Sequence, residues 1–278
     1  MNVRRRMLPA GWYPGTATEC EKEISDFLRG FDSPEGKWIA GVAPHAGWGF
    51  SGRAAARVIK TLSSRGAVDR VVIFGGHLPG GYGPVAYMEE AWETPFGIQD
   101  LDAEFTYHLV DEGHAIPADR GFSDNTVEIQ VPLVRYFFPD SKIIAIHSPS
   151  SEKAIDLSRT VKSFLDENGL TAVFLGSADL THYGPNYGFS PKGTGASSLK
   201  WVKEENDRLL IENAINMNAI ELIKESIIRL NTCSAGPIAS VIEIARLNGI
   251  NLGKLLDYYT SYDVLPGSSF VGYAAIVY

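Results

Sequence analysis

The stretch VAPHAGWGFSG, Val42 to Gly52, joins a predicted strand to a predicted helix. Before it, KWIAGVAP (37–44) is a short apolar run typical of a buried strand. After it, GRAAARVIKTLSSRG (52–66) repeats apolar residues at helical spacing and closes on a glycine. His45 therefore lies in a glycine-rich loop directly after a strand.

The alternation of strands and helices continues along the chain. The further predicted elements are strands at 69–76, 142–149 and 171–179, helices near 102–112, within 125–138 and at 151–168, and two or three helices within 199–249. LLDYYTSYDV and SFVGYAAIVY, joined by LPGSS, predict a final antiparallel hairpin. Short apolar strands separated by helices predict an α/β fold with a mostly parallel sheet covered by helices on both faces. Because no linker interrupts this pattern, we expect one domain over residues 1–278.

The composition argues against two classes of partner. The 278 residues are 45% hydrophobic and carry a formal net charge of -8, whereas general nucleic-acid binders carry clustered positive charge. The basic run Arg4–Arg6 precedes MLPAGWYPG instead of a signal-peptide core, and no run approaches the roughly 20 apolar residues of a membrane span. With only Cys20 and Cys233, the chain suits a reducing compartment. We therefore expect a cytoplasmic protein that binds neither nucleic acid nor membranes.

Chemically active side chains follow three of the predicted strands. His45 follows the first, His77 follows DRVVIFGG, and both Asp179 and His182 follow TAVFLGSAD within SADLTHYG. In open α/β sheets, ligands bind where the loops at the carboxyl ends of the strands converge. One such histidine is ordinarily structural, but three strand ends with coordinating or proton-transferring side chains predict a common site.

Cys233 precedes a predicted helix, TCSAGPIASVIEIARLNG, which Thr232 or Ser234 can cap and Gly249 ends. The partial positive charge at a helix N-terminus favours the thiolate, the form that binds metals. The alternative is a buried cysteine without chemistry. We expect that inert role of Cys20, in TATECEKEISDFL.

Seven motifs, in order along nearly the whole chain, together resemble the Memo family, whose microbial members are often called AmmeMemoRadiSam system protein B. They are AGWYPG (10–15), PHAGWGFSG (44–52), GGH (75–77), ETPFG (93–97), NTVEIQVPL (125–133), SADLTHYG (177–184) and TCSAGPI (232–238). The resemblance implies the fold of the class III extradiol ring-cleaving dioxygenase catalytic subunit. It also implies a metal site of two histidines and one cysteine, matched here by His45, His77 and Cys233. Asp179 and His182 match polar residues beside that site.

The sequence departs from the family pattern at one point. The family segment usually begins with His-Ser before its glutamate, whereas this chain has Asn125 and Thr126 ahead of Glu128. The spacing from Asn125 to Glu128 predicts a helix cap with a reciprocal glutamate. A place for Glu128 in the pocket is the alternative.

The ligand set predicts one transition-metal ion. Ring-cleaving enzymes hold Fe(II) with two histidines and a carboxylate, and the fold relationship favours Fe(II) here. A Cys233 thiolate suits softer ions, so copper and zinc are alternatives, and Asp179 is a candidate carboxylate ligand. We expect Asp179 and His182 to act in proton transfer, with Asp179 orienting the imidazole of His182.

Three function classes remain open at this point. The first is a metal-dependent redox protein or oxidoreductase acting on a small, for example phenolic, molecule. The second is a binding or signalling protein that uses the same cleft without turnover, and the third is a zinc-dependent hydrolase. In each, a small molecule or a peptide occupies the metal cleft, and the sequence predicts no oligomeric state.

Other side chains near the predicted site have two interpretations or a structural one. Aromatic residues in the motif loops either line a pocket or cover the sheet end: Trp12, Tyr13, Trp48, Phe50, Tyr183 and Tyr187. His147 ends a predicted strand without a matching family ligand, so we expect a structural role. His108 and His114 are expected at the surface around a helix end.

Overall fold

The computed structural model describes residues 1–119, 121 and 123–278. Its strands are β1 Val3–Arg4, β2 Ala40–Ala43, β3 Arg70–Gly75, β4 Val85–Ala86, β5 Ala91–Thr94, β6 Gly97–Asp100, β7 Ile116–Pro117, β8 Lys142–His147, β9 Ala172–Ser177, β10 His182–Tyr183, β11 Lys254–Thr260 and β12 Phe270–Val277. Its α-helices are α1 Ala17–Phe27, α2 Trp48–Ser63, α3 Ala103–Asp111, α4 Asn125–Glu128, α5 Val131–Phe137, α6 Lys153–Glu167, α7 Ala196–Trp201, α8 Asp207–Ile215, α9 Ala219–Arg229, α10 Ala235–Leu247 and α11 Ser261–Val264. A π-helical turn, Val202–Asn206, joins α7 to α8.

The main sheet has the strand order β10-β12-β2-β9-β3-β8-β4-β7, and β11 pairs with β12. The four central strands, β2, β9, β3 and β8, are parallel. The flanking strands β12 and β4 run antiparallel to their neighbours β2 and β8. The central strands therefore all end at the same edge of the sheet, which is where the predicted site residues follow them.

Helices cover both faces of this sheet, as the sequence predicts. One apolar cluster packs side chains of α6, α8, α9 and α10 against one face, and a second packs α1, α2 and α5 against the other. The central strands are buried on both sides, which explains their continuous apolar sequences. The predicted α/β fold is confirmed.

Helix α2 begins at Trp48, four residues before the predicted start, with Gly47 at its N-cap. A Cβ added to Gly52 would lie 2.6 Å from the Phe27 ring, so glycine lets α1 pack directly on α2. The helix therefore starts almost immediately after His45, and its N-terminus borders the site.

The predicted C-terminal hairpin is antiparallel but has a longer connection than LPGSS. Strand β11 ends at Thr260, where the side chains of Thr260 and Asp263 form a capping box that starts α11. A capping box competes with continued strand pairing, because its hydrogen bonds favour a helical turn. Among the described residues, no helix combines the length and apolar character of a membrane span.

Candidate metal centre

Because the central strands are parallel and in register, three of the predicted residues lie at the same edge of the sheet. Ala43 of β2 lies opposite Ser177 of β9, and β3 pairs with β9 on its other side. His45, His77 and Asp179 each follow their strand by two residues, so their side chains meet above the same edge of the sheet.

The fourth residue, Cys233, reaches this edge from the N-terminus of α10. The Cys233 amide and the Thr232 hydroxyl both donate to the Asp179 carbonyl, at 3.3 and 2.6 Å. Two glycines allow this close approach, because a Cβ on Gly176 would lie 2.6 Å from the Pro237 carbonyl oxygen and one on Gly236 2.4 Å from backbone oxygen. Helix α10 therefore rests its first turn directly on the strand ends.

Capping at this helix differs from the simple prediction. Ser234 occupies the N-cap position, but its side chain caps no backbone amide. The Thr232 hydroxyl instead accepts from the Ser234 amide at 3.3 Å. Thr232 thus ties the loop to both Asp179 and the helix start.

The three side chains matched by the family resemblance bring their donor atoms together. Nε2 of His45 lies 3.2 Å from Nε2 of His77 and 3.2 Å from Sγ of Cys233. All three donor atoms lie within 4.8 Å of one another, and within the described chain they form the one group of His, Cys, Asp or Glu with this property. Two nitrogens bound tetrahedrally at about 2.0–2.1 Å are separated by roughly 3.3 Å. The His45–His77 spacing is thus that of a metal site.

Hydrogen bonds assign the tautomer of His77. Its Nδ1 lies 3.0 Å from Oδ2 of Asp124. An ionised carboxylate only accepts, so Nδ1 of His77 carries a proton. In the neutral ring, Nε2 is then a free lone pair aimed at His45.

Hydrogen bonds also assign the tautomer of His45, through Ser177. The Ser177 hydroxyl donates to the Thr126 carbonyl at 2.6 Å and accepts from Nε2 of Gln130 at 3.1 Å. Its single proton is used, so its 3.3 Å contact with Nδ1 of His45 requires that nitrogen to donate. The neutral His45 ring therefore also points an Nε2 lone pair inward. Two lone pairs 3.2 Å apart repel each other unless a proton or a metal ion lies between them.

The pKa shifts of the three side chains also indicate positive charge between them. Burial alone raises the pKa of Cys233, but the neighbouring histidines lower it well below its ordinary value. Burial lowers the pKa of His77, yet the hydrogen bonds to Asp124 and Cys233 raise it to about 10. Burial likewise lowers the pKa of His45, and Asp179 and Cys233 outweigh it and raise that pKa. Without a metal, these shifts favour the thiolate form of Cys233 and the protonated form of the imidazoles.

Asp179 and His182 face the same group of donor atoms. Oδ1 of Asp179 accepts from the His45 amide at 2.7 Å, and Oδ2 lies 3.9 Å from Nε2 of His45 and 3.7 Å from Nε2 of His182. Burial lowers the pKa of His182, but Asp179 and Cys233 raise it to about 10. The His182 ring packs against Tyr187, with ring centroids 4.9 Å apart.

A cleft of about 700 Å³ opens above these residues. His45, His77, Asp179 and His182 line it, as does the Asn125 side chain that replaces the usual family histidine. Nδ2 of Asn125 donates to the His45 carbonyl at 2.9 Å, so this residue holds the His45 loop. The cleft is wide enough for a small organic molecule.

The motif-loop aromatic residues divide between the two interpretations. Those that line the cleft are Trp12, Phe50 and Tyr187, joined by Tyr273 from β12, which was not predicted. Trp12 also lines a neighbouring cavity, together with Tyr13 and Trp48. Tyr183 is buried and stacks on Phe270 with centroids 5.2 Å apart. The lining of the cleft is thus partly aromatic.

Glu128 is not part of the predicted capping arrangement. The N-cap of α4 is Asp124, whose side chain accepts from the Thr126 amide, one residue before the predicted cap. Oε1 of Glu128 accepts instead from the amides of Met7 and Leu8 and from the Tyr13 hydroxyl, at 2.8, 2.9 and 3.1 Å. Glu128 therefore anchors the N-terminal segment and does not line the cleft.

Sequence reasoning missed Asp124 and understated the surroundings of His147. Asp124 directly precedes the motif NTVEIQVPL, and aspartate is itself a favoured N-cap residue before a helix. His147 is fully buried. Its Nε2 forms a hydrogen bond of 3.0 Å with the Tyr87 hydroxyl and lies 3.8 Å from Oδ1 of Asp124. Burial lowers the pKa of His147 to about 4. It packs behind Asp124 as a neutral side chain.

The chain matches one protein family over nearly its whole length. The family model described as Memo-like protein covers residues 5–277. The MEMO1 family protein of Methanococcoides burtonii is 30% identical over 281 residues, which cover 99% of both chains. That of Methanosarcina acetivorans is 30% identical over 290 residues, covering 100% of this chain and 99% of the relative. MEMO1 family protein MK0963 of Methanopyrus kandleri is 32% identical over 248 residues, covering 85% and 82%.

A solved structure shares the fold. Uncharacterized protein JW3007 from Escherichia coli K12 superposes with a TM-score of 0.50, covering 86% of this chain and 99% of its own. Its sequence is 12% identical, so the likeness concerns the arrangement of strands and helices alone.

Proposed function

Because the chain belongs to the Memo family, we propose that it binds one transition-metal ion through Nε2 of His45, Nε2 of His77 and Sγ of Cys233. One observation supports this above the others. In their neutral forms, the two imidazoles direct Nε2 lone pairs at each other across 3.2 Å, with the thiol sulfur 3.2 Å from one of them. Such an arrangement needs a positive charge at its centre, and a metal ion supplies it.

The donor set suits Fe(II), copper and zinc. Imidazole binds all three, and thiolate strengthens binding of the softer ions. Three protein donors leave coordination positions open toward the cleft, as in catalytic rather than structural sites. A bound redox metal would supply electron transfer and orient a substrate oxygen, whereas zinc would supply Lewis acidity.

We propose further that the protein is a metal-dependent oxidoreductase for a small organic molecule, with Fe(II) or copper in the site. The aromatic residues Trp12, Phe50 and Tyr187 in the lining of the cleft favour a planar, for example phenolic, substrate. His182 lies at the cleft with Asp179 3.7 Å from its Nε2, so it can exchange a proton with a bound hydroxyl group. Asp179 orients His182 and also the His45 backbone.

A zinc-dependent hydrolase is the second candidate. The pair His182–Asp179 favours it, because a histidine whose pKa is raised to about 10 beside a carboxylate is protonated at neutral pH and can donate a proton to the leaving group of a substrate in the cleft. A binding protein without turnover uses the same residues and is distinguished by the absence of a reaction.

Metal analysis of protein purified anaerobically without an affinity tag tests the site. We expect about one metal ion per chain in the parent and a loss of at least tenfold in affinity in His45→Ala, His77→Ala and Cys233→Ser. Cys20→Ser is the matched control, since that thiol is buried in α1 away from the cleft. Parent-like binding of Fe(II), Cu(I) and Zn(II) by all three site variants would refute the assignment.

Oxygen-uptake measurements test the reaction class. The iron- or copper-loaded protein is screened with catechols and related phenols, and the zinc-loaded protein with ester and amide substrates. Oxygen uptake that His182→Ala abolishes supports the oxidoreductase, and hydrolysis with the same dependence supports the second candidate. Metal binding without either reaction supports a binding protein.

A further inference from the structure

A closed ring of hydrogen bonds surrounds the outer nitrogen of His77. The Gly76 amide donates to Oγ1 of Thr126 at 2.7 Å, and that hydroxyl donates to Oδ1 of Asp124. The other carboxylate oxygen, Oδ2, accepts from Nδ1 of His77 at 3.0 Å. The ring returns to its start because Gly76 and His77 are consecutive.

The double glycine of the GGH motif makes this ring possible. A Cβ on Gly75 would lie 2.5 Å from Oγ1 of Thr126, and one on Gly76 would lie 2.6 Å from the His147 ring. Gly76 also has a φ of 96°, which other residues rarely adopt. The end of β3 can therefore lie directly against Thr126 at Gly75 and against His147 at Gly76 only because both residues lack side chains.

Asp124 is rigidly held before any metal arrives. Besides the Thr126 hydroxyl, Oδ1 accepts from the Thr126 amide at 2.8 Å, which caps α4. His147 closes the far side, with its Nε2 3.8 Å from the carboxylate. The carboxylate thus has one rigid orientation, in which Oδ2 faces His77.

We propose that Asp124 is the positioning residue of His77: it fixes the ring so that Nε2, and not Nδ1, faces the metal. The inference rests on the proposed metal site. A carboxylate behind a metal-binding histidine determines its tautomer and its orientation, and loss of such a partner typically weakens metal binding by about 10–100-fold. His45 has only the neutral Ser177 in the equivalent place, so Asp124 is the single carboxylate that bonds the outer nitrogen of either imidazole ligand among the described residues.

Two substitutions at Asp124 separate positioning from helix capping. Serine is a good N-cap, so Asp124→Ser keeps the α4 cap but cannot reach His77. In Asp124→Asn, the amide oxygen stays with the two Thr126 donors, which turns its NH2 toward Nδ1. That donor favours the His77 tautomer with its proton on Nε2, the atom that must be free. We expect Asp124→Ser to weaken Zn(II) binding about 10–100-fold and Asp124→Asn to weaken it at least as much.

A matched pair at Thr126 tests the ring itself. Thr126→Ser retains the bridging hydroxyl and should bind Zn(II) like the parent. Thr126→Val has nearly the same shape but no hydroxyl, and we expect several-fold weaker binding. Asp102→Ser is the remote control: Asp102 caps α3 by accepting from the Phe105 amide, pairs with Arg70 and does not line the cleft, so its loss can lower stability but should leave Zn(II) affinity unchanged.

Competition with a chelator measures the Zn(II) affinity of each variant. Thermal unfolding shows whether the variant is folded, and the absorption spectrum of the Co(II) complex reports the geometry of the metal site. A changed cobalt spectrum in folded Asp124→Ser supports positioning, because a purely structural role leaves the ligand field unaltered. Parent-like affinity and spectra in both Asp124 variants, with Cys233→Ser still impaired, would overturn this inference and leave the proposed site intact. If Cys233→Ser and His77→Ala also bind normally, the site and the inference both fail.

Discussion

Raising the pH from 7 to 9 should strengthen Zn(II) binding by about 100-fold through His77 alone. The pKa of His77 is raised to about 10, because hydrogen bonds to Asp124 and Cys233 outweigh the opposing effect of burial. The metal-free ring therefore carries a proton that the metal must displace. Below that pKa, each proton displaced makes the affinity rise tenfold per pH unit, or about 1.4 kcal/mol.

The other two ligands set the limits of this slope. The pKa of Cys233 is lowered well below its ordinary value, so the thiol has already lost its proton and adds nothing. The pKa of His45 is raised, so it adds up to one further proton. The affinity should thus rise between tenfold and 100-fold per pH unit and level off near pH 10. The sign is positive because the protons are bound only in the metal-free state.

Calorimetric titration of zinc with a competing chelator measures both the affinity and the protons released. Performed in two buffers of different ionisation enthalpy at pH 7, 8 and 9, it should show release of one to two protons per zinc ion. His77→Ala should release about one proton fewer than the parent. An affinity independent of pH, or proton uptake on binding, would refute the thiolate–imidazolium description of the metal-free site.

Three more predictions concern residues around the site. Iodoacetamide should label Cys233 and spare Cys20, because burial is the chief cause that raises the pKa of Cys20 to about 12. Zinc should protect Cys233 from labelling. Mass spectrometry of the labelled peptides measures both effects, and faster labelling of Cys20 would contradict the prediction. Asp207→Asn should stabilise the protein by about 1–3 kcal/mol more at pH 8 than at pH 5. Burial raises the pKa of the Asp207 carboxyl to about 7, so its contribution to stability is lost as the pH rises from the unfolded pKa of about 3.9 through the folded value. Urea unfolding at both pH values measures this difference, and an equal effect at pH 5 and 8 would contradict it. Glu128→Ala should release the N-terminal segment, because it removes the three hydrogen bonds that the Glu128 side chain accepts. Trypsin should then cleave faster at Arg4–Arg6 while the rest of the chain stays intact. Unchanged cleavage would contradict the anchoring role.

The ligand side of the site could be predicted because it follows from strand order. His45 and His77 come directly after buried apolar runs, and such runs in an α/β fold end at one edge. The capping and glycine signals of α10 predicted a helix N-terminus beside Cys233, and only the family resemblance joined Cys233 to the two histidines. Each of these signals is local in sequence, and the farthest, Gly249, lies 16 residues after Cys233.

The supporting side of the site could not be predicted in the same way. Asp124 and His77 are 47 residues apart, and Ser177 and His45 are 132 apart. Their contacts depend on how the strand ends and α4 pack, which no local period encodes. The predicted cap, Asn125, lies one residue after the observed cap, Asp124, so the prediction did not identify the carboxylate that bonds His77.

The charges around the three donor atoms favour a divalent ion. The Cys233 thiolate supplies one negative charge at the donor group, and two carboxylates lie close behind it: Asp179, 3.9 Å from Nε2 of His45, and Asp124, 3.0 Å from Nδ1 of His77. Opposite charges attract more strongly in a buried, weakly screened site than in water, so each added positive charge on the ion stabilises its binding more here than at the surface. His182 offsets one negative charge only while it is protonated, and a single positive charge on the ion would then leave the group with a net negative charge. A divalent ion balances it, which favours Fe(II) or Zn(II) over Cu(I) despite the preference of sulfur for the softer metal.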